Sequence, residues 1–225
     1  NYKTMFIVIE GLDGAGKSTQ LKMIIDHFNA IGVECLNIHF PRFETPIYGE
    51  LIAKFLRGEL GELNSVNPYL VALIYAGDRA EAAHKISEAL LQGKAVILDR
   101  YIYSNIAFQC AKCKNKEESV ELSKWIFDLE YNHNHIPKPD ISIFLDVPMT
   151  FTKKKLEENR VGDDRGYLKG KQDIHEASLS FQERVREAYL TYGSSDPSFK
   201  VINCCSKGGD MLPPDDIFAL IKQNL

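Results

Sequence analysis

Near the start of the chain, the stretch EGLDGAGKSTQ (10–20) follows directly on the apolar run MFIVI. Gly11-x4-Gly16-Lys17-Ser18 fits the phosphate-loop spacing GxxxxGK[ST]. Glycine takes backbone conformations closed to other residues, so such a loop can turn its N–H groups inward around an anion. A strand before it and a helix after it add the positive end of a helix dipole. A glycine-rich turn that binds nothing would not call for a lysine and two hydroxyls at its exit. Gly11, Leu12, Asp13, Gly14, Ala15, Gly16, Lys17, Ser18 and Thr19 are therefore the candidate ATP cradle. In it, Lys17 supplies charge to the β- and γ-phosphates and the Ser18 hydroxyl is a ligand for Mg²⁺.

The rest of the chain repeats this strand–helix alternation. Strands are expected over residues 5–10, 34–40, 95–99, 141–147 and 200–203. Their runs are nearly continuously apolar, as in parallel strands covered on both faces. Helices are expected over 18–31, 67–92, 103–110, 117–131, 150–159, 176–192 and 215–223. Leu21, Ile24, Ile25, Phe28 and Ile31 give the first its apolar stripe. Asn67-Pro68 reads as a cap followed by proline at the first helical position. The pattern predicts one α/β layered domain over residues 1–225, with no repeats and no linker. The charged stretch RVGDDRGYLKGKQD (160–173) has little to bury and reads first as a solvated loop.

Bulk properties narrow the partners. A formal charge of −4 argues against a broad basic face for nucleic acid or an anionic membrane. The longest uncharged apolar stretch, residues 69–76, is far short of a bilayer span. The first ten residues lack the layout of a secretory leader. The five cysteines contain one CxxC, at Cys110 and Cys113, without a second pair at zinc spacing. Reduced thiols and a cytoplasmic setting are expected.

A second site is expected where ligands gather in open α/β sheets, beyond the carboxyl ends of the strands. There stand Phe40-Pro41-Arg42 and Asp99-Arg100-Tyr101, with Ser104, Asn105, Phe108 and Gln109 on one face of the following helix. Tyr75 and Arg79 are four apart on the long preceding helix. Aromatic rings stack on bases and guanidinium groups fork onto phosphate. Taken singly, Tyr75 and Phe108 read as core aromatics, Arg79 as a surface charge and Asp99 as a helix cap. Asn115-Lys116-Glu117-Glu118 lacks the Asp of a guanine reader, which leaves a small kinase ahead of a GTPase.

At these residues the chain resembles the thymidylate kinases. The matching text is FIVIEGLDGAGKSTQ (6–20), FPR (40–42), DRYIYSNIAFQ (99–109), PKPDISIFLDV (137–147) and FQERVREAY (181–189). The resemblance implies a five-stranded parallel sheet flanked by helices, a mobile lid at about 160–175, and a homodimer. It implies transfer of a phosphoryl group from ATP to dTMP, giving dTDP. By the same resemblance, Asp13 meets the acceptor's sugar or positions its phosphate, and Arg42 and Arg100 hold that phosphate. Phe40 belongs to the same acceptor site. Tyr75, where the family usually has Phe, stacks on thymine. Arg79 reaches O4, Ser104 and Asn105 sit near N3, and Phe108 crowds the 2′ position. For the transfer itself, Mg²⁺ is expected on Ser18, with Asp99 reaching it through water. Some members carry arginine where Gly14 stands, and in others a lid arginine takes over at the transition state. Arg160 and Arg165 are the candidates, which makes the charged stretch a lid. The alternatives are another nucleotide or nucleoside kinase, and a binding protein that uses ATP as a switch.

Overall fold

The computed structural model describes residues 5–157, 163–171, 173–175 and 178–225, with the backbone alone at 163–165. All five expected strands form: β1 (Phe6–Gly11), β2 (Cys35–His39), β3 (Ala95–Asp99), β4 (Ile141–Asp146) and β5 (Phe199–Asn203). They pair in parallel in the order β2-β3-β1-β4-β5. β1 and β3 are buried throughout, as two-faced cover requires. β2 and β5 correct the sequence reading: as edge strands they expose Asn37, His39, Lys200, Val201 and Asn203.

Strand alternation splits the core into two layers. Phe6, Val8, Val96, Leu98 and Phe144 face one side, where α3 (Pro68–Leu91), α4 (Ile102–Cys110), α5 (Lys116–Phe127) and α7 (Leu179–Gly193) pack. Ile7, Ile9, Ile97, Ile143 and Leu145 face the other, under α1 (Lys17–Ala30) and α8 (Pro214–Lys222). α6 (Met149–Glu157) follows β4. Asn67 caps α3 as expected, its side-chain oxygen accepting from Tyr69 N at 2.9 Å. The helix expected over 117–131 ends earlier as an α-helix and continues as a π-helical turn, Asp128–His133. Residues 158–159 and 176–177 of two expected helices lie outside the described residues.

One helix escapes sequence reasoning. α2 (Tyr48–Leu56) starts from Ile47 at φ 65° with no side-chain cap, and its Pro46 and Gly49 resemble a turn. It forms because Ile52, Phe55 and Leu56 bury against Val71 of α3. Each such side chain contributes about 1.5–3 kcal/mol on burial.

The charged stretch also has more to bury than its composition suggests. A 3₁₀ turn, Asp163–Leu168, places Leu168 in the interior and stacks Tyr167 on Phe43, ring centres 3.7 Å apart. Arg57 donates to the Tyr167 carbonyl at 2.6 Å, and Ile174 N donates to the Leu56 carbonyl at 3.0 Å. The described residues Tyr167 and Leu168 of the stretch, with Ile174 just after it, are thus docked beside α2.

Candidate functional site

Pairing of Ile9 with Asp99, and of His39 with Asp99, brings the ends of β1, β2 and β3 to one edge of the sheet. A cavity of about 1340 Å³ opens there. It is lined by the phosphate loop from Asp13 to Thr19, the loop after β2, Tyr75, Arg79, residues 99–109 in part, and Tyr167, Asp173 and His175. Of the candidate residues, Gly11 and Leu12 lie beneath the cavity rather than on its wall. A Cβ on Gly11 would stand 3.1 Å from that of Ala15. Arg160 lies outside the described residues, and only the backbone of Arg165 is described.

The loop geometry follows from its glycines. Gly14 and Gly16 sit at φ 76° and 82°, conformations that favour glycine, and Gly16 begins α1. Lys17 is buried, with Nζ 3.1 Å from the Leu12 carbonyl. Burial and the neighbouring Arg100 lower its pKa, against the pull of Asp99, Asp13 and Glu10. An anion in the loop would relieve that cost.

Asp99 fits a magnesium ligand. Its Oδ2 lies 2.9 Å from His39 Nδ1, while its buried Oδ1 has no hydrogen-bond partner. Burial would raise its pKa, but Lys17, His39 and Arg100 lower it, so the carboxylate stays ionised. The exposed Ser18 lines the same cavity. A carboxylate and a hydroxyl are hard oxygen donors of the kind Mg²⁺ takes. Among the described residues there is no cluster of three or more His, Cys, Asp or Glu that could hold a metal by itself. All five cysteines are free thiols.

Arg100 occupies the centre. Its φ of 66° is a left-handed conformation rare for a non-glycine residue, fixed by its N–H donating to the Ile9 carbonyl at 2.9 Å. Nη2 donates to Asp13 Oδ1 at 2.8 Å, Nη1 to Ser104 Oγ at 3.2 Å, and its face covers the Phe108 ring. Burial opposes its charge, but Asp13, Tyr189, Asp99 and Glu10 raise its pKa.

Beneath Arg100 lies a group that sequence reasoning missed. Glu10 is fully buried and accepts from Tyr101 N at 2.9 Å, Ser104 Oγ at 2.5 Å and the Tyr189 hydroxyl at 2.9 Å. Through Tyr101 N and, at 3.3 Å, Ser104 N it takes up two N–H groups at the start of α4, which has no side-chain cap of its own. Asp99 therefore does not cap that helix. The signal was in the sequence, as a carboxylate inside the apolar run FIVIEG. Ser104 is committed to this network.

The other arginines are also held by acids. Arg42 donates through Nε to Asp78 Oδ1 at 2.8 Å and through Nη2 to Glu81 at 3.1 Å. Arg79 is only 2% exposed, which overturns the reading of it as a surface charge; it forks onto the buried Glu130 at 2.5 and 2.6 Å. His175 closes one wall against Phe108, Phe55 and Phe181. Burial, with Lys112 and Arg100 nearby, pushes its pKa well below the usual histidine value, so it is neutral. Gln182 ties the His175 carbonyl to Asp13, at 2.8 and 3.2 Å.

A phosphate cradle thus faces a second, arginine-rich pocket across one cavity. The family model described as thymidylate kinase matches residues 9–208. The chain belongs to the thymidylate kinase family. Relatives include the probable thymidylate kinase of Thermococcus onnurineus, 31% identical with 98% of each chain covered. The thymidylate kinase of Mycobacterium tuberculosis is 32% identical over 82% of this chain and 84% of its own. The solved thymidylate kinase of Candida albicans superposes with a TM-score of 0.70 at 25% identity, covering 98% of this chain and 90% of that one. Family membership agrees with the five-stranded parallel sheet. Among the described residues, no helix is long and apolar enough to cross a membrane.

Proposed function

We propose that the chain transfers the γ-phosphoryl group of ATP to dTMP, giving dTDP and ADP, in the cytoplasm. The observation that carries this reading is the Asp13–Arg100 contact, which joins the donor loop to the acceptor pocket across one cavity. Phosphoryl transfer asks for little covalent chemistry; it asks for two anions held in line and for neutralisation of the spreading charge.

In this reading the loop amides and Lys17 hold the triphosphate of ATP. Ser18 and Asp99 would hold Mg²⁺, which supplies charge neutralisation on the phosphate oxygens when bound. Arg100 takes the phosphate of dTMP and faces the transferring group, with Asp13 fixing its fork. Arg42 assists, its guanidinium oriented by Asp78. Phe40, Tyr75 and Phe108 enclose the sugar and base, and Asn105 and Arg79 read the edge of the base. Arg160 or Arg165 supplies the last positive charge when the lid closes, and closure excludes water so that ATP is not hydrolysed. Exposed Leu70 and Leu73, one turn apart on α3, support a homodimer through that helix.

A coupled assay with ATP and Mg²⁺ over dTMP, dUMP, dGMP and thymidine tests the reading. Monophosphate-dependent ADP release that favours dTMP is expected. Preference for thymidine would make this a nucleoside kinase, and ATP binding without acceptor-dependent release would make it a switch.

A further inference from the structure

Glu130 lies outside every motif the sequence singled out, yet it touches both side chains that face the base. It sits with zero exposure in the π-helical turn Asp128–His133, a kind of irregularity that often marks a functional position. Its carboxylate accepts from Arg79 Nε and Nη2 at 2.5 and 2.6 Å, and from Asn105 Nδ2 at 2.9 Å. The second hydrogen of that amide is donated to the Ala72 carbonyl at 3.0 Å. Both partners of Asn105 Nδ2 can only accept. The reverse amide orientation would set a carbonyl against two acceptors, so the orientation is forced. Asn105 Oδ1 is then buried with no protein partner, in a residue that lines the cavity.

We propose that Glu130 is the specificity-determining positioning residue of the acceptor pocket, admitting bases with a ring N–H beside a carbonyl and refusing those with a ring nitrogen beside an amino group. The inference rests on the dTMP-kinase reading. Asn105 presents an acceptor and Arg79, through the nitrogen not engaged by Glu130, a donor. Thymine and uracil match both, with N3–H against the amide oxygen and O4 against the guanidinium. Cytosine mismatches both, its N3 lone pair meeting a carbonyl and its amino group meeting a cation. Unpaired buried polar groups are the strongest means of rejecting an analogue. One carboxylate thereby sets the polarity of Asn105 and the orientation of Arg79, which can only donate.

The test is kcat and KM for dTMP and dCMP, with KM for ATP, in wild type, Glu130→Gln and Glu130→Asp. In Glu130→Gln the new side-chain amide can donate to Asn105, which leaves the Ala72 carbonyl as the one acceptor opposing the reversed asparagine amide. The preference for dTMP over dCMP in kcat/KM is expected to fall by at least about tenfold. KM for dTMP should rise more than kcat falls, with KM for ATP unchanged. Glu130→Asp keeps a charge opposite Arg79, whose long side chain can follow it while Asn105 cannot. It gives the same result in weaker form if Glu130→Gln does not fold. Variants that keep the wild-type dTMP:dCMP ratio overturn the proposal. Wild type that fails to turn over dTMP overturns the reading of the function instead.

Discussion

Arg100 and Asp13, 87 residues apart in the chain, meet at 2.8 Å between Nη2 and Oδ1 at the junction of the two halves of the cavity. In the proposed reading Asp13 belongs to the loop that cradles one anion, and Arg100 to the pocket that clasps the other. Arg100 is kept there by a left-handed backbone, a fully buried Glu10 one layer below, and the Phe108 ring against its face. Arg100→Ala is expected to lower kcat by on the order of 10³. Arg100→Lys should restore little, because a single ammonium cannot fork between Asp13 and a phosphate. Steady-state kinetics with saturating ATP check both.

The two arginines proposed for the lid, Arg160 and Arg165, separate by single substitution. One of Arg160→Ala and Arg165→Ala should cost on the order of 10³ in kcat, and the other far less. If both leave turnover intact, transition-state charge is neutralised elsewhere.

His175 gives the protein an acid-sensitive wall. Its folded pKa lies below the unfolded value, so the unfolded state takes up the proton first as pH falls. Stability is complete above about 6.5 and is lost below it, at up to about 1.4 kcal/mol per pH unit. Melting midpoints from pH 7.5 to 5.5 should fall more steeply for wild type than for His175→Asn. Parallel curves would remove His175 as the cause.

Asp99 should be felt in metal dependence. Asp99→Asn removes the negative charge beside Lys17 and replaces one oxygen with an amide. The Mg²⁺ concentration for half-maximal activity should rise about tenfold or more. Calorimetric titration of ATP with and without Mg²⁺ should show that the variant loses most of the metal's contribution to binding. An unchanged contribution would place the ion on other ligands.

Legibility from sequence followed the range of the interactions. The phosphate loop was plain because its glycines, lysine and serine act within eight residues, and the strands because the runs FIVI of β1 and AVIL of β3 are continuously apolar. α2 was hidden, since its stability comes from Val71 and not from its own capping. The partners of the arginines were hidden for the same reason. Nothing local links Arg79 to Glu130, 51 positions away, or Ser104 to Tyr189, 85 positions away. Glu10 could have been suspected as a charge in an apolar strand, but its role as a cap for α4 depends on β1 lying beside β3.

The central claim is direct transfer between two nucleotides held end to end. Incubation with γ-³²P-labelled ATP, Mg²⁺ and dTMP, followed by chromatography, tests it most directly. Label is predicted in the β-position of dTDP, in step with ADP formed. Label released as inorganic phosphate, or retained in bound ATP with dTMP unchanged, would contradict it.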